Sequence, residues 1–267
     1  MPTHVSVEVN GPVAQVTLDR PDKLNGLTLE MLGELRGAAR SLARDRSLRA
    51  VVLKGAGESF CAGLDFAQAT KQPARIARLF TPNPLRGTNG FQEACWAWRR
   101  VPVPVIAEIH GHCYGGGVQL ALAADFRFTT PDAEWSVLEG KWGLIPDMSG
   151  IKSLGELVGI DTAKRLTMTA EMFSGSHAHE IGLASGVADD PSTLTADLVG
   201  QLLPRSPDAL AAGKRAFNKS WGAGARTTFR QERRRQLGVL LGKNARIALA
   251  ASLKKQPPDY QPRGRWS

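Results

Sequence analysis

Cysteine is scarce in this chain of 267 residues: Cys61, Cys95 and Cys113 are the only three, with no Cys-x-x-Cys spacing. An odd count so spaced argues against a disulfide framework and against a cysteine-rich zinc site. It fits a reducing cytoplasm. Long apolar runs are missing too, and none reaches the roughly 18 residues of a membrane-spanning helix. Residues 1–10 lack the charged-then-apolar pattern of a secretory signal, so the chain reads as mature from its start. The common nucleotide and nucleophile fingerprints are absent. Gly55-Ala56-Gly57 lacks the third glycine of a dinucleotide loop, and there is neither a P-loop nor a Gly-x-Ser-x-Gly elbow. No sequence repeat recurs at a fixed period.

Acidic residues are in deficit, 25 against 34 Lys and Arg, giving a net charge of +9. Such a surplus favours polyanionic partners, either nucleic acid or a nucleotide with several phosphates such as coenzyme A, although a basic surface without a partner has the same signature. Nucleic acid is disfavoured, because no RNA-binding motif and no basic stripe interleaved with aromatics is present. The run Arg230-Gln231-Glu232-Arg233-Arg234-Arg235 reads as a solvated helix face.

What is present is ordinary globular protein, 42% hydrophobic and 22% charged, with length enough for a large core. Alternation over residues 5–9 and 13–18, around Asn10-Gly11-Pro12, predicts a β-hairpin. Thr28 caps an amphipathic helix running to about residue 44. Short apolar strands are expected at 50–54, 103–109, 126–129 and 135–138. Helices are expected at 91–100 and 118–124, with a helical piece and a loose loop between 66 and 86. After Gly150 helices dominate, ending in one long helix over 228–254 and an extended tail from Pro257. Strand–helix units followed by helices predict an α/β core with a helical C-terminal part.

Two glycine-rich turns stand at strand ends: Phe60-Cys61-Ala62-Gly63-Leu64-Asp65, and Gly115-Gly116-Gly117 leading into a helix. Small residues let a ligand approach the backbone, and a helix start presents unpaired N–H groups. Facing each other, the two turns would hold a developing oxyanion. Taken singly, either is also consistent with tight packing alone.

At these residues the chain resembles the enoyl-CoA hydratase/isomerase (crotonase) superfamily. Four ordered segments carry the likeness: Arg20-Pro21-Asp22-Lys23-Leu24-Asn25-Gly26-Leu27; residues 51–55 through Asp65; residues 104–107 through the glycine triplet to Ala124-Asp125; and Trp135-Ser136-Val137-Leu138-Glu139 through Gly143-Leu144-Ile145-Pro146-Asp147. The resemblance implies a ββα spiral core over residues 1–200 and a helical oligomerisation region over 201–267, assembling as trimers or hexamers. It implies an acyl-CoA thioester substrate, with coenzyme A as part of that substrate and no separate cofactor. Backbone N–H groups of Ala62 and Gly116 would hold the thioester oxygen. Lys23, Leu24, Ala62, Gly63, Leu64, Asp65 and Gly116 would line the coenzyme path.

A side chain must still move a proton. Hydratases of the family use two glutamates. Here the first position is Gln119, which cannot act as a base, and the second is Glu139. Asp147 stands eight residues after Glu139, a spacing similar to that of the family's dienoyl-CoA isomerases. Glu139 and Asp147 as an acid/base pair would shift a double bond. The alternatives are hydration of a 2-enoyl-CoA, an RNA-binding role, and a catalytically silent subunit. Asp147 is equally consistent with an N-cap of the helix beginning near Ser149. His110 and His112 read as packed strand-end histidines, and His177 and His179 as part of a solvated helix start, not a metal site. Cys61 reads as a small residue in a tight turn. Trp96 and Trp98 either line the acyl pocket or pack beneath a loop.

Overall fold

The computed structural model describes residues 4–264. β1 (Val5–Asn10) and β2 (Val13–Leu18) form the expected antiparallel hairpin. Along β2, Ala14, Val16 and Leu18 are buried while the alternate residues are partly exposed, as a strand with one covered face requires. α1 (Leu29–Arg44) follows, with the Thr28 hydroxyl accepting the Met31 N–H at 3.2 Å. Its Leu29, Leu32, Leu35 and Ala39 share one inward stripe, and each fully buried leucine contributes about 2 kcal/mol.

β3 (Ala50–Gly55) is buried along most of its length. The chain then forms α2 (Phe66–Ala69), α3 (Pro73–Phe80) and α4 (Gly90–Arg100) before β4 (Val105–Ile109), β5 (His112–Tyr114), α5 (Gly116–Ala121), β6 (Phe126–Thr129) and β7 (Glu134–Ser136). Beyond lie α6 (Gly150–Leu157), α7 (Ile160–Thr169), β8 (Phe173–Ser174), α8 (Gly175–Glu180), β9 (Gly186–Val187) and α9 (Pro191–Leu202). The chain closes with α10 (Pro207–Ser220), α11 (Ala225–Leu241) and α12 (Lys243–Lys254). The main sheet has the order β1-β2-β3-β4-β6-β9 and is parallel from β2 onward. A smaller sheet has the order β5-β7-β8. Successive parallel strands joined through helices make the spiral, around a core in which Trp98, Trp135 and Phe60 are fully buried.

Two details differ from the sequence reading. The helix expected over 228–254 is two helices, because Gly242 is extended at φ −75°, ψ 152° and ends α11. The strand expected at 135–138 stops at Ser136, and Glu139 sits in a 3-10 turn (Leu138–Trp142). The tail is docked: Gln261 N–H donates to Asn244 Oδ1 at 2.9 Å and Gly264 N–H to Asp208 Oδ1 at 2.6 Å, with residues 265–267 outside the described range. The C-terminal helices rest on the spiral. Lys214 of α10 lies 2.5 Å from Asp125 Oδ2 and donates to Val103 O at 2.9 Å, and Asp125 also accepts the Val105 N–H at 2.8 Å.

Candidate active site

The two glycine-rich turns lie side by side. Phe60 N–H donates to His110 O, Cys61 N–H to His112 O and Tyr114 N–H to Cys61 O, each at 2.9 Å. This pairing leaves no room for side chains at two positions. A Cβ on Gly117 would stand 2.3 Å from Cys61 O, and one on Gly63, at φ +90°, would stand 2.9 Å from Tyr114 O.

Ala62 was expected to supply an oxyanion donor, and its N–H is already used: it donates to Leu24 O at 2.9 Å. The group left open on that turn is Leu64 N–H. Among the described residues no acceptor takes the N–H of Leu64 or of Gly116. The two lie close, since the Cβ position of Gly116 is 3.6 Å from Leu64 N. Gly116 is the first residue of α5, where helix geometry leaves the N–H unpaired.

Both turns open into a cavity of about 570 Å³ that also receives Glu139 and Asp147. Apart from Gln119 and Thr70, its remaining wall is apolar, with Phe66, Ile76, Phe80, Phe91, Trp142 and Leu144 among its residues. Phe80 and Phe91 pack at 5.0 Å between ring centroids, and Phe66 meets Trp142 at 6.1 Å. Trp96 and Trp98 are not part of this wall. Trp98 is buried in the core, and Trp96 carries the Arg99 guanidinium at 4.5 Å from its ring centroid.

Glu139 is 8% exposed and is fixed from one side only. Its Oε1 accepts the Gln119 amide N–H at 2.6 Å, while its Oε2 is buried without a partner. Burial pushes its pKa up, and the nearby Asp147 charge adds to the rise. Gln119 is itself clamped: its Oε1 accepts the Met148 N–H at 2.7 Å and the Gly150 N–H at 2.9 Å. Asp147 is half-buried, and burial raises its pKa as well. It does not cap α6. That helix begins after Ser149, at φ +77°, with no side-chain cap.

The coenzyme-path residues divide into two sets. Ala62, Gly63, Leu64 and Gly116 line the cavity. Lys23 and Leu24 do not, but Leu24 is joined to the Ala62 turn through its carbonyl. Asp65 is engaged structurally, 2.8 Å from Arg20 and accepting the Gln68 N–H at 3.1 Å. The buried Asn25 braces this region, donating to Ala56 O at 2.8 Å and Ser59 O at 2.7 Å.

The other candidates lie apart from the cavity. His110 Nε2 is 2.9 Å from Gly57 O and His112 Nδ1 is 2.7 Å from Ser59 Oγ. His177 pairs with Glu180 at 3.0 Å, and no cluster of three metal-binding side chains occurs among the described residues. The Cys61 thiol donates to Asn25 O at 3.2 Å, and burial pushes its pKa up to about 12, so it is no thiolate nucleophile.

A sequence profile of the enoyl-CoA hydratase/isomerase family matches residues 8–262. The chain belongs to this family. Among its hydratase/isomerase relatives is the peroxisomal Δ(3,5)-Δ(2,4)-dienoyl-CoA isomerase of Arabidopsis thaliana, 30% identical over 93% of this chain and 92% of that protein. The short-chain-enoyl-CoA hydratase of Clostridium acetobutylicum is 31% identical over 81% of each chain. The crystal structure of an enoyl-CoA hydratase from Bacillus anthracis superposes with a TM-score of 0.87 at 26% identity, covering 97% of this chain and 99% of that one. The spiral fold is therefore that of the hydratase/isomerase enzymes, and the chain is an acyl-CoA enzyme of that type.

Proposed function

We propose that the protein shifts a carbon–carbon double bond within an enoyl- or dienoyl-CoA. The observation carrying this reading is the Glu139 carboxylate: Oε1 is fixed by Gln119, and Oε2 is buried, unpaired and in one cavity with Asp147. The thioester oxygen accepts from Leu64 N–H and Gly116 N–H, which stabilise the negative charge that gathers there as a proton leaves the acyl chain. One such preorganised donor is worth about 3 kcal/mol. Glu139 Oε2 removes the proton, the electron pair moves through the conjugated system, and protonated Asp147 returns a proton at a more distant carbon. No atom is gained or lost. The aromatic wall holds the acyl chain and keeps water away from the enolate.

Hydration is the second reading, favoured by the identity with the Clostridium hydratase. It asks for a second carboxylate where Gln119 stands. That amide has its oxygen occupied by two backbone donors and exchanges no proton near neutral pH. Exposed Leu237, Leu240 and Leu241 on α11 and Leu249 and Leu253 on α12 support assembly into a homotrimer or hexamer through the C-terminal helices.

The deciding experiment incubates the protein with a 2-enoyl-, a 3-enoyl- and a 3,5-dienoyl-CoA and follows absorbance and product mass. Isomerisation gives a spectral change at constant mass. Gain of one water overturns the reading in favour of hydration.

A further inference from the structure

A second cavity, also about 570 Å³, lies on the opposite side of α3 from the acyl pocket. α3 is the shared wall. Its Ile76 and Phe80, four residues apart on one face, line the acyl cavity, whereas Arg75, Arg78 and Leu79 line the other. Arg36 and Arg40 of α1, and Arg86 of the connection before α4, complete an arginine-rich lining.

These arginines are poorly neutralised. Arg40, Arg86 and Arg100 all draw on one carboxylate, the 3% exposed Glu93. Burial alone would raise the Glu93 pKa, but hydrogen bonds from Arg100 and Thr88 and the surrounding positive charge outweigh it and bring it down to about 2. Arg75 takes Glu30. Among the described residues no acidic side chain stands within ion-pair distance of Arg36 or Arg78. The Arg36 guanidinium donates from Nε to Leu32 O at 3.1 Å. Its pKa is lowered, first by burial and then by the Arg40 charge and, less, the Arg75 charge, with Glu93 pulling the other way. Its terminal nitrogen lies over Gly90, 3.2 Å from where a Cβ would be. Gly90 opens α4, so a half-buried cation sits on the positive end of an eleven-residue helix. Five guanidinium groups and that helix end thus line a cavity large enough for a small ligand, with Glu93 as the carboxylate in its wall.

We propose that this cavity binds a phosphate-bearing anion of sugar-phosphate or nucleotide size, held by Arg36, Arg40, Arg75, Arg78 and Arg86. Guanidinium groups match phosphate oxygens in charge and geometry. A bound phosphate group draws α3, through Arg75 and Arg78, toward Arg36 and Arg40 on α1. It therefore reaches the acyl wall through the other face of the same helix. The site is separate from the reacting groups and independent of which reaction the enzyme performs.

The test uses pyrophosphate as probe in isothermal titration calorimetry and thermal melting of the full chain, with chloride at equal ionic strength as control. Expected are one site per chain and a raised melting temperature for the wild type. In the double variant Arg36→Gln/Arg78→Gln the affinity should fall about tenfold or more, while enoyl-CoA turnover without pyrophosphate is unchanged. Arg78→Gln alone replaces an exposed side chain, and should weaken binding even if the double variant folds poorly. The proposal is overturned if the wild type takes up no pyrophosphate, or if both variants bind it as the wild type does. It is equally overturned if free coenzyme A displaces the probe competitively, since the phosphates would then be those of the substrate.

Discussion

The Gln119 side-chain amide donates to Glu139 Oε1 across 2.6 Å, while its own oxygen is held by the backbone N–H groups of Met148 and Gly150. One side chain therefore ties the helix after the glycine triplet to the turn that bears Asp147, and presents a single Glu139 oxygen to the cavity. On the proposed mechanism Gln119 is a positioning residue, and the proton chemistry falls to Glu139.

Glu139→Gln should reduce isomerisation kcat roughly a thousandfold, in the range of lost general acid–base catalysis, with the melting temperature preserved or raised because a buried ionisable group is removed. Asp147→Asn should also lower kcat while proton exchange into the substrate at the Glu139 side persists. Deuterium uptake measured by mass spectrometry separates the two. Full turnover in Glu139→Gln on all three thioesters would remove Glu139 from the mechanism.

Gln119→Glu should change the reaction. A carboxylate in that place still accepts from Met148 and Gly150 but has no N–H for Glu139, so the two carboxylates share a proton. The variant is expected to add water to a 2-enoyl-CoA, read as a mass gain, and to lose about tenfold in isomerase rate.

Burial raises the pKa of both Glu139 and Asp147. The base must be ionised, so kcat/KM should rise with pH through a value above the ordinary glutamate pKa of about 4.3. It should fall again once Asp147 ionises. For stability, folded pKa values above the unfolded ones mean that the native state binds more protons in that window. The contribution of these groups is full below about pH 4 and is lost as pH rises through the folded values. Denaturant melts of wild type and Glu139→Gln across this range should show the wild type losing stability relative to the variant as pH rises.

Cys61→Ala should keep most activity, and iodoacetamide should leave the native enzyme active, because Cys61, Cys95 and Cys113 are all buried and burial raises each thiol pKa. Rapid inactivation at neutral pH with a carboxamidomethyl group on Cys61 would contradict this.

The glycine turns and the Thr28 cap were legible because each rests on local residues and their order, while Glu139 and Asp147 were paired through the resemblance to the dienoyl-CoA isomerases. The donor on the first turn was not. Whether Ala62 or Leu64 keeps its N–H free depends on which amide Leu24 O captures from a distant part of the chain, and small-residue composition does not reveal that. The aromatic wall escaped for the same reason: Phe66, Phe80, Phe91 and Trp142 come from four segments that only the fold assembles. Trp96 and Trp98 stood at helical spacing that serves core packing equally well. The stop at Gly242 was hidden inside an otherwise continuous helical pattern.

The cradle around Gln119 fixes shape more firmly than charge. Two backbone donors grip its oxygen, and Gly150, where a Cβ would stand 2.7 Å from that oxygen, keeps the space open. Glutamate has the same outline, and its codons differ from those of glutamine only in the first base. If Glu139 moves the proton as proposed, a lineage carrying this scaffold stands one point mutation from a second carboxylate beside it, and so from water addition.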